Sequence, residues 1–75
     1  MTKIENDNEA TARIEAALYS AGRPLKIEEL IKASGTESRT KTYTILENII
    51  KKSKSVFKAI EIVTLPDGSY VFQLL

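Results

Sequence analysis

Apolar residues in the first third of the chain recur at steps of three and four. Ala10, Ile14, Ala17, Leu18 and Ala21 share one side of a helix drawn at about 100° per residue. Together with the good helix formers of EATARIEAALYSA, this predicts a helix over Glu9–Ala21. Residues 1–8, MTKIENDN, have Ile4 as their one apolar position beyond the first Met and predict a flexible N-terminal arm, in which Asn6 or Asn8 can cap the helix. In SAGRPLKIEEL (Ser20–Leu30) the pattern breaks, because Gly22 suits the left-handed turn that ends a helix and Pro24 cannot donate the bond that would continue one. Ile27, Leu30 and Ile31 then predict a short second helix, with Glu28 and Glu29 in its first turn to complement the helix dipole and Ala33-Ser34-Gly35 closing it. A third helix is expected from about Ser38, with Ile45, Leu46, Ile49 and Ser53 on its inner face and Lys51, Lys52 and Lys54 towards its C-terminus.

Beyond Ser55 the period changes from helical to alternating. FKAIEIVTLPDGSYVFQLL (Phe57–Leu75) is rich in β-branched and aromatic residues and predicts two strands joined at Pro66-Asp67-Gly68. A type I turn with Gly68 in the left-handed position of a bulge would set Leu65 opposite Ser69, Thr64 opposite Tyr70, Ile62 opposite Phe72 and Ile60 opposite Leu74. That register sorts Ile60, Ile62, Tyr70, Phe72 and Leu74 onto one face, and Glu61, Val63, Leu65, Ser69, Val71 and Gln73 onto the other. A slip of one residue would mix Glu61 into the aromatic face. Three helices, the second and third joined by a short Gly-containing turn, followed by a β-hairpin, predict an α+β winged helix-turn-helix over residues 9–75, with Pro24-Leu25-Lys26 as a short strand between the first two helices.

Composition narrows the function. The 75 residues, 43% hydrophobic and 28% charged, allow one modest core. With 11 Lys and Arg against 10 Asp and Glu, a net charge of +1 steers the chain to neither nucleic acid nor an anionic membrane, so any basic function is local. The absence of Cys and His removes disulfides, thiolate chemistry, imidazole acid–base work and the commonest metal ligands, and no cofactor is expected. Neither an apolar run of roughly 20 residues nor a signal-like start is present, which predicts a soluble cytoplasmic protein. Glu28 and Glu29 are adjacent on a helix, so their carboxylates diverge, and no nucleophile lies beside a base. An enzyme is not expected.

Two kinds of surface remain as candidates. The outer face of the third helix presents Thr40, Thr44, Glu47, Asn48 and Lys51 where DNA-binding winged helices carry their reading residues. Lys41, Asn48, Lys51 and Lys52 are the candidate DNA contacts, with Lys54 and Lys58 extending the basic group. Glu47 and the acidic hairpin tip, Asp67, oppose that reading, since both would meet phosphate. On the first helix, Ala12, Ala16 and Tyr19 form a second, narrower apolar stripe opposite the buried face, and Val63, Leu65 and Val71 add an apolar patch on the outer hairpin face. These six are the candidate protein-interface residues: the alanines allow close approach and the tyrosine supplies an anchor.

The stretches Glu15-Ala-Ala-Leu-Tyr-Ser-Ala-Gly-Arg-Pro-Leu25, Ile27-Glu-Glu-Leu30, Ala59-Ile-Glu-Ile62 and Gly68-Ser-Tyr-Val-Phe72 resemble the first winged helix of the segregation and condensation protein B (ScpB) family. The resemblance covers about residues 10–74. It implies a non-enzymatic, dimeric, nucleoid-associated partner of the kleisin subunit (ScpA-like) and, through it, of the SMC ATPase. The family usually carries two tandem winged helices and this sequence holds one, so an N-terminal domain cut from a longer protein or a shortened relative is expected. Its third helix has more Thr and Lys and fewer Glu than the family pattern, which keeps a small DNA-binding regulator as the alternative.

Overall fold

Asn6 stands in extended conformation, and its side-chain Oδ1 accepts from the N–H groups of Asn8 (2.8 Å) and Glu9 (3.3 Å), satisfying two donors that a helix start leaves open. Helix α1 therefore spans Asp7–Ala21, two residues earlier than its apolar pattern suggests, with Asp7 and Glu9 in the first turn. The last two residues of the expected arm are thus helical, and Asn6, not Asn8, is the cap. The computed structural model describes residues 6–56 and 60–74, with side chains over 6–52 and 62–73; the rest of the expected arm, residues 1–5, lies outside them, as does Lys58.

Gly22 ends α1 at φ 64°, and the chain turns through Pro24 into Leu25. Leu25 exchanges two backbone hydrogen bonds of 2.7 Å with Tyr70, so the expected short strand is one isolated bridge. Helix α2 (Ile27–Ser34) begins next, Lys26 donating its N–H to Glu29 Oε1 at 3.2 Å, and ends at Gly35 with φ 77°. After a turn containing Glu37 at φ 62°, Ser38 accepts from the Lys41 N–H at 3.2 Å and starts helix α3, Arg39–Val56. Strands β1 (Ile60–Thr64) and β2 (Tyr70–Leu74) then form an antiparallel pair.

The hairpin register is the expected one: Ile60 opposite Leu74, Ile62 opposite Phe72 and Thr64 opposite Tyr70. The turn supplies the reason. Gly68 donates to the Leu65 carbonyl at 2.8 Å and takes φ 87°, and Leu65 donates to the Ser69 carbonyl at 2.8 Å, as a bulged type I turn requires. Asp67 Oδ1 accepts from the Ser69 hydroxyl (2.6 Å) and N–H (3.0 Å), which draws Ser69 inward to 2% exposure although alternation placed it on the outer face.

These elements close around one core. Ala10, Ile14 and Leu18 of α1, Ile27 and Leu30 of α2, Ile45, Leu46 and Ile49 of α3, and Leu25, Ile62 and Tyr70 from the bridge and hairpin are all buried. Ala17, Ala21, Ile31 and Phe72 pack against its edge.

Three surface carboxylates link this fold to pH. Asp67 is held below the usual carboxylate range first by the Ser69 hydroxyl and then by the Ser69 N–H, Glu29 first by Arg23, and Glu28 first by its own backbone N–H and then by Arg39. A depressed folded value means that this stabilisation is present above the unfolded value and is lost as pH falls through the folded one. The thermal midpoint is therefore expected to hold steady from neutral pH down to about 5 and to fall below about pH 4. Asp67→Asn should flatten part of that fall in a pH series followed by circular dichroism; an unchanged profile would remove Asp67 from the account.

Candidate functional site

The turn between α2 and α3 is built from hydroxyls. Ser34, Thr36 and Thr42 are each fully buried, and their oxygens meet at 3.1 Å (Ser34–Thr36), 3.4 Å (Ser34–Thr42) and 3.5 Å (Thr36–Thr42). The Thr42 hydroxyl donates to the Ser38 carbonyl at 2.7 Å, the Ser34 hydroxyl donates to the Ile31 carbonyl at 2.7 Å, and Thr36 Oγ1 accepts from the Ser38 N–H at 3.3 Å. Among the described residues, every buried side-chain polar atom has a partner. This cluster fixes the angle at which α3 leaves α2, and apolar periodicity alone does not reveal it.

Surface ion pairs brace the start of α2, one to the segment after α1 and one to α3. Glu29 meets Arg23 at 2.6 Å and Glu28 meets Arg39 at 3.3 Å, so the adjacent carboxylates do diverge to different partners. Arg23 and Arg39 are both pushed up, each chiefly by its hydrogen bond to that glutamate. Both glutamates secure the entry to α2.

On α3, Thr40, Thr44, Glu47, Asn48 and Lys51 all lie exposed, as the helical phase predicts. Tyr43 adds an aromatic ring, 42% exposed, that helical phase alone does not single out. The pKa of the Tyr70 phenol is raised first by burial and then by the charges of Tyr43 and Glu47. The face that would have to read nucleic acid is thus of mixed charge, with Glu47 in it.

The candidate DNA contacts Lys41, Asn48, Lys51 and Lys52 come together along one side of a cleft of about 550 Å³ between α1 and α3. Its other side carries Asp7, Thr11 and Glu15 of α1, and Ile45 and Ile49 lie in its lining. Lys41 Nζ sits 3.1 Å from Asp7 Oδ1 across this cleft. Lys54 and Ser53 fall where side chains are not described.

The candidate protein-interface residues separate into two groups. Ala12 and Ala16 are exposed on α1, and Tyr19 is 57% exposed while its ring rests on Phe72 of β2, centroids 4.0 Å apart and planes 32° from parallel. Tyr19 is therefore both a surface residue and a clasp between α1 and the hairpin. Val63 and Val71, paired across the strands, and Leu65 are half-buried, a less open patch than alternation suggested. Among the described residues, no group of three or more acidic side chains could hold a metal ion, and no helix is long and apolar enough to cross a membrane.

Three helices, the second and third forming a helix-turn-helix, and a C-terminal antiparallel hairpin bridged to the segment before α2 define the winged-helix class. Within that class the family model for the segregation and condensation complex subunit ScpB matches residues 12–75, and the chain belongs to this family. It is thereby placed in the chromosome segregation and condensation machinery, the SMC–ScpAB complex. A comparison with curated proteins finds no match.

Proposed function

We propose that the chain is a non-enzymatic interaction module of that complex, working in the cytoplasm at the nucleoid, which binds the kleisin subunit and, through it, the SMC ATPase, and which self-associates. The observation that carries this reading is the family match over residues 12–75. Ala12, Ala16 and the Tyr19–Phe72 pair support it, as an exposed helix face ending in an aromatic anchor with room for close approach. The half-buried Val63, Leu65 and Val71 are its second contact surface. Direct DNA contact through Lys41, Asn48, Lys51 and Lys52 is the weaker reading, because Asp7 and Glu15 line the same cleft and would repel the phosphates, and Glu47 adds a further carboxylate to the exposed face of α3.

The mass of the chain by light scattering during size-exclusion chromatography tests self-association. A dimer is expected, and Ala16→Glu is expected to yield monomers while changing unfolding stability by no more than about 0.5 kcal/mol, because position 16 faces solvent. A wild-type monomer at all concentrations would contradict self-association, and a dimer that survives Ala16→Glu would move the interface off α1.

A further inference from the structure

The bridge between Leu25 and Tyr70 settles which way the backbone groups of β1 point. Tyr70 gives both its N–H and its C=O to Leu25, at 2.7 Å each, so they are turned away from β1. In an antiparallel pair two opposed residues either bond each other twice or both turn outward, and Thr64 lies opposite Tyr70. The N–H and C=O of Thr64 therefore point off the far side of β1, and by the period of two so do those of Ile62 and Ile60. Leu65 donates to the Ser69 carbonyl at 2.8 Å, which fits the complementary phase in which Glu61 and Val63 bond β2. The sheet has two strands, and among the described residues no bridge lies on the far side of β1. We infer that this edge takes an extended segment of a protein partner as a further strand, antiparallel to β1 and with a basic residue opposite Glu61. The inference rests on the proposed reading of the chain as a protein-binding module and specifies how its second contact surface is used.

An edge strand is ordinarily blunted by Pro, by Lys, by a bulge or by a covering element. β1 reads Ile60-Glu61-Ile62-Val63-Thr64, β-branched at every position but Glu61, with neither Pro nor Lys, and its register with β2 runs without a bulge. Thr64 is exposed, so its end of the edge opens to solvent. A guest strand would bond the outward groups of Ile60, Ile62 and Thr64 and lay alternate side chains beside Val63 and Leu65, which are half-buried, extending their face. Charge decides which strand fits. Glu61 is the single charge of β1, and its opposite residue in β2 is Gln73. A second copy of β1 paired about Ile62 would set Glu61 opposite Val63 and make the two Glu61 positions diagonal neighbours on one face, bringing like charges together. A strand with Lys or Arg opposite Glu61 gains a cross-strand charge pair instead.

The test follows amide hydrogen exchange in the isotope-labelled chain. Without a partner, the amides of Ile62 and Thr64 are expected to exchange faster than those of Val63 and Leu65, which bond β2. Synthetic peptides of about eight residues, alternating valine and threonine, carry either lysine or glutamate at the position that meets Glu61; a third, with lysine, is N-methylated at alternate residues and cannot donate to the edge. The lysine peptide is expected to slow exchange at Ile62 and Thr64, to bind about fivefold more tightly than the glutamate peptide, and to lose binding on N-methylation. Thr64→Pro removes an outward N–H without removing a bond to β2 and should abolish binding, and Glu61→Lys should reverse the preference between the peptides. If Thr64→Pro fails to keep a folded spectrum, Glu61→Lys and the N-methylated peptide supply the reading.

Equal exchange at Ile62 and Val63, binding that survives N-methylation, no preference between the peptides, or no binding would overturn the inference. A dimer that Thr64→Pro converts to monomers would overturn it as well, since a second copy would then hold the edge. A kleisin subunit bound as tightly by Thr64→Pro as by the wild type would overturn the inference while leaving the proposed function standing. A wild-type chain that takes the lysine peptide along β1 but does not bind the kleisin subunit would overturn the proposed function and leave the edge standing.

Discussion

Leu46→Ala is expected to destabilise the chain by about 2–5 kcal/mol. Leu46 is 1% exposed, at the inner face of α3 between Ile45 and Ile49, in the cluster that joins all three helices to the hairpin. Its truncation removes transfer energy and leaves a cavity that neighbours anchored on several elements cannot collapse into. A chain of 75 residues commands about 4–11 kcal/mol in total, so the variant is expected to be marginal or unfolded at room temperature. Urea unfolding should show a large drop in midpoint with an unchanged slope if the variant still folds. A loss under about 1 kcal/mol would mean that α3 is not seated in the core through Leu46.

Thr42→Val is expected to cost about 1–3 kcal/mol although it preserves shape and adds apolar surface. The substitution removes the hydroxyl that donates to the Ser38 carbonyl and stands within 3.5 Å of the Ser34 and Thr36 oxygens, leaving a buried polar cluster incomplete. Thr42→Ser keeps the hydroxyl and should lose less than the valine variant. Comparing the two in the same urea titration separates hydrogen bonding from packing. A valine variant as stable as the wild type would show that the cluster contributes nothing net.

The hairpin was readable in the sequence down to individual pairs, because Pro66-Asp67-Gly68 specifies a turn and the turn fixes which residues face each other. The helices were readable for the same kind of reason: each breaker, Gly22, Pro24 and Gly35, sits at a boundary that backbone chemistry requires. Thr42 escapes a periodicity drawn from apolar residues alone. Its signal is present all the same, since Thr42 lies three, four and seven residues before Ile45, Leu46 and Ile49, a core-facing position occupied by a hydroxyl. The Tyr19–Phe72 clasp and the Asp7–Lys41 pair had no local signal, because each joins elements distant in sequence and depends on how the helices pack. The candidate basic residues do form a spatial group, yet only the fold reveals the acidic wall of α1 opposite them.

The most direct test of the interaction-module account is to load the chain together with the kleisin subunit proposed as its partner on a size-exclusion column with light-scattering detection at moderate salt. The account predicts a joint peak whose mass equals a defined complex of the two, retained on dilution through the micromolar range. Separate elution of the two at their individual masses would contradict it.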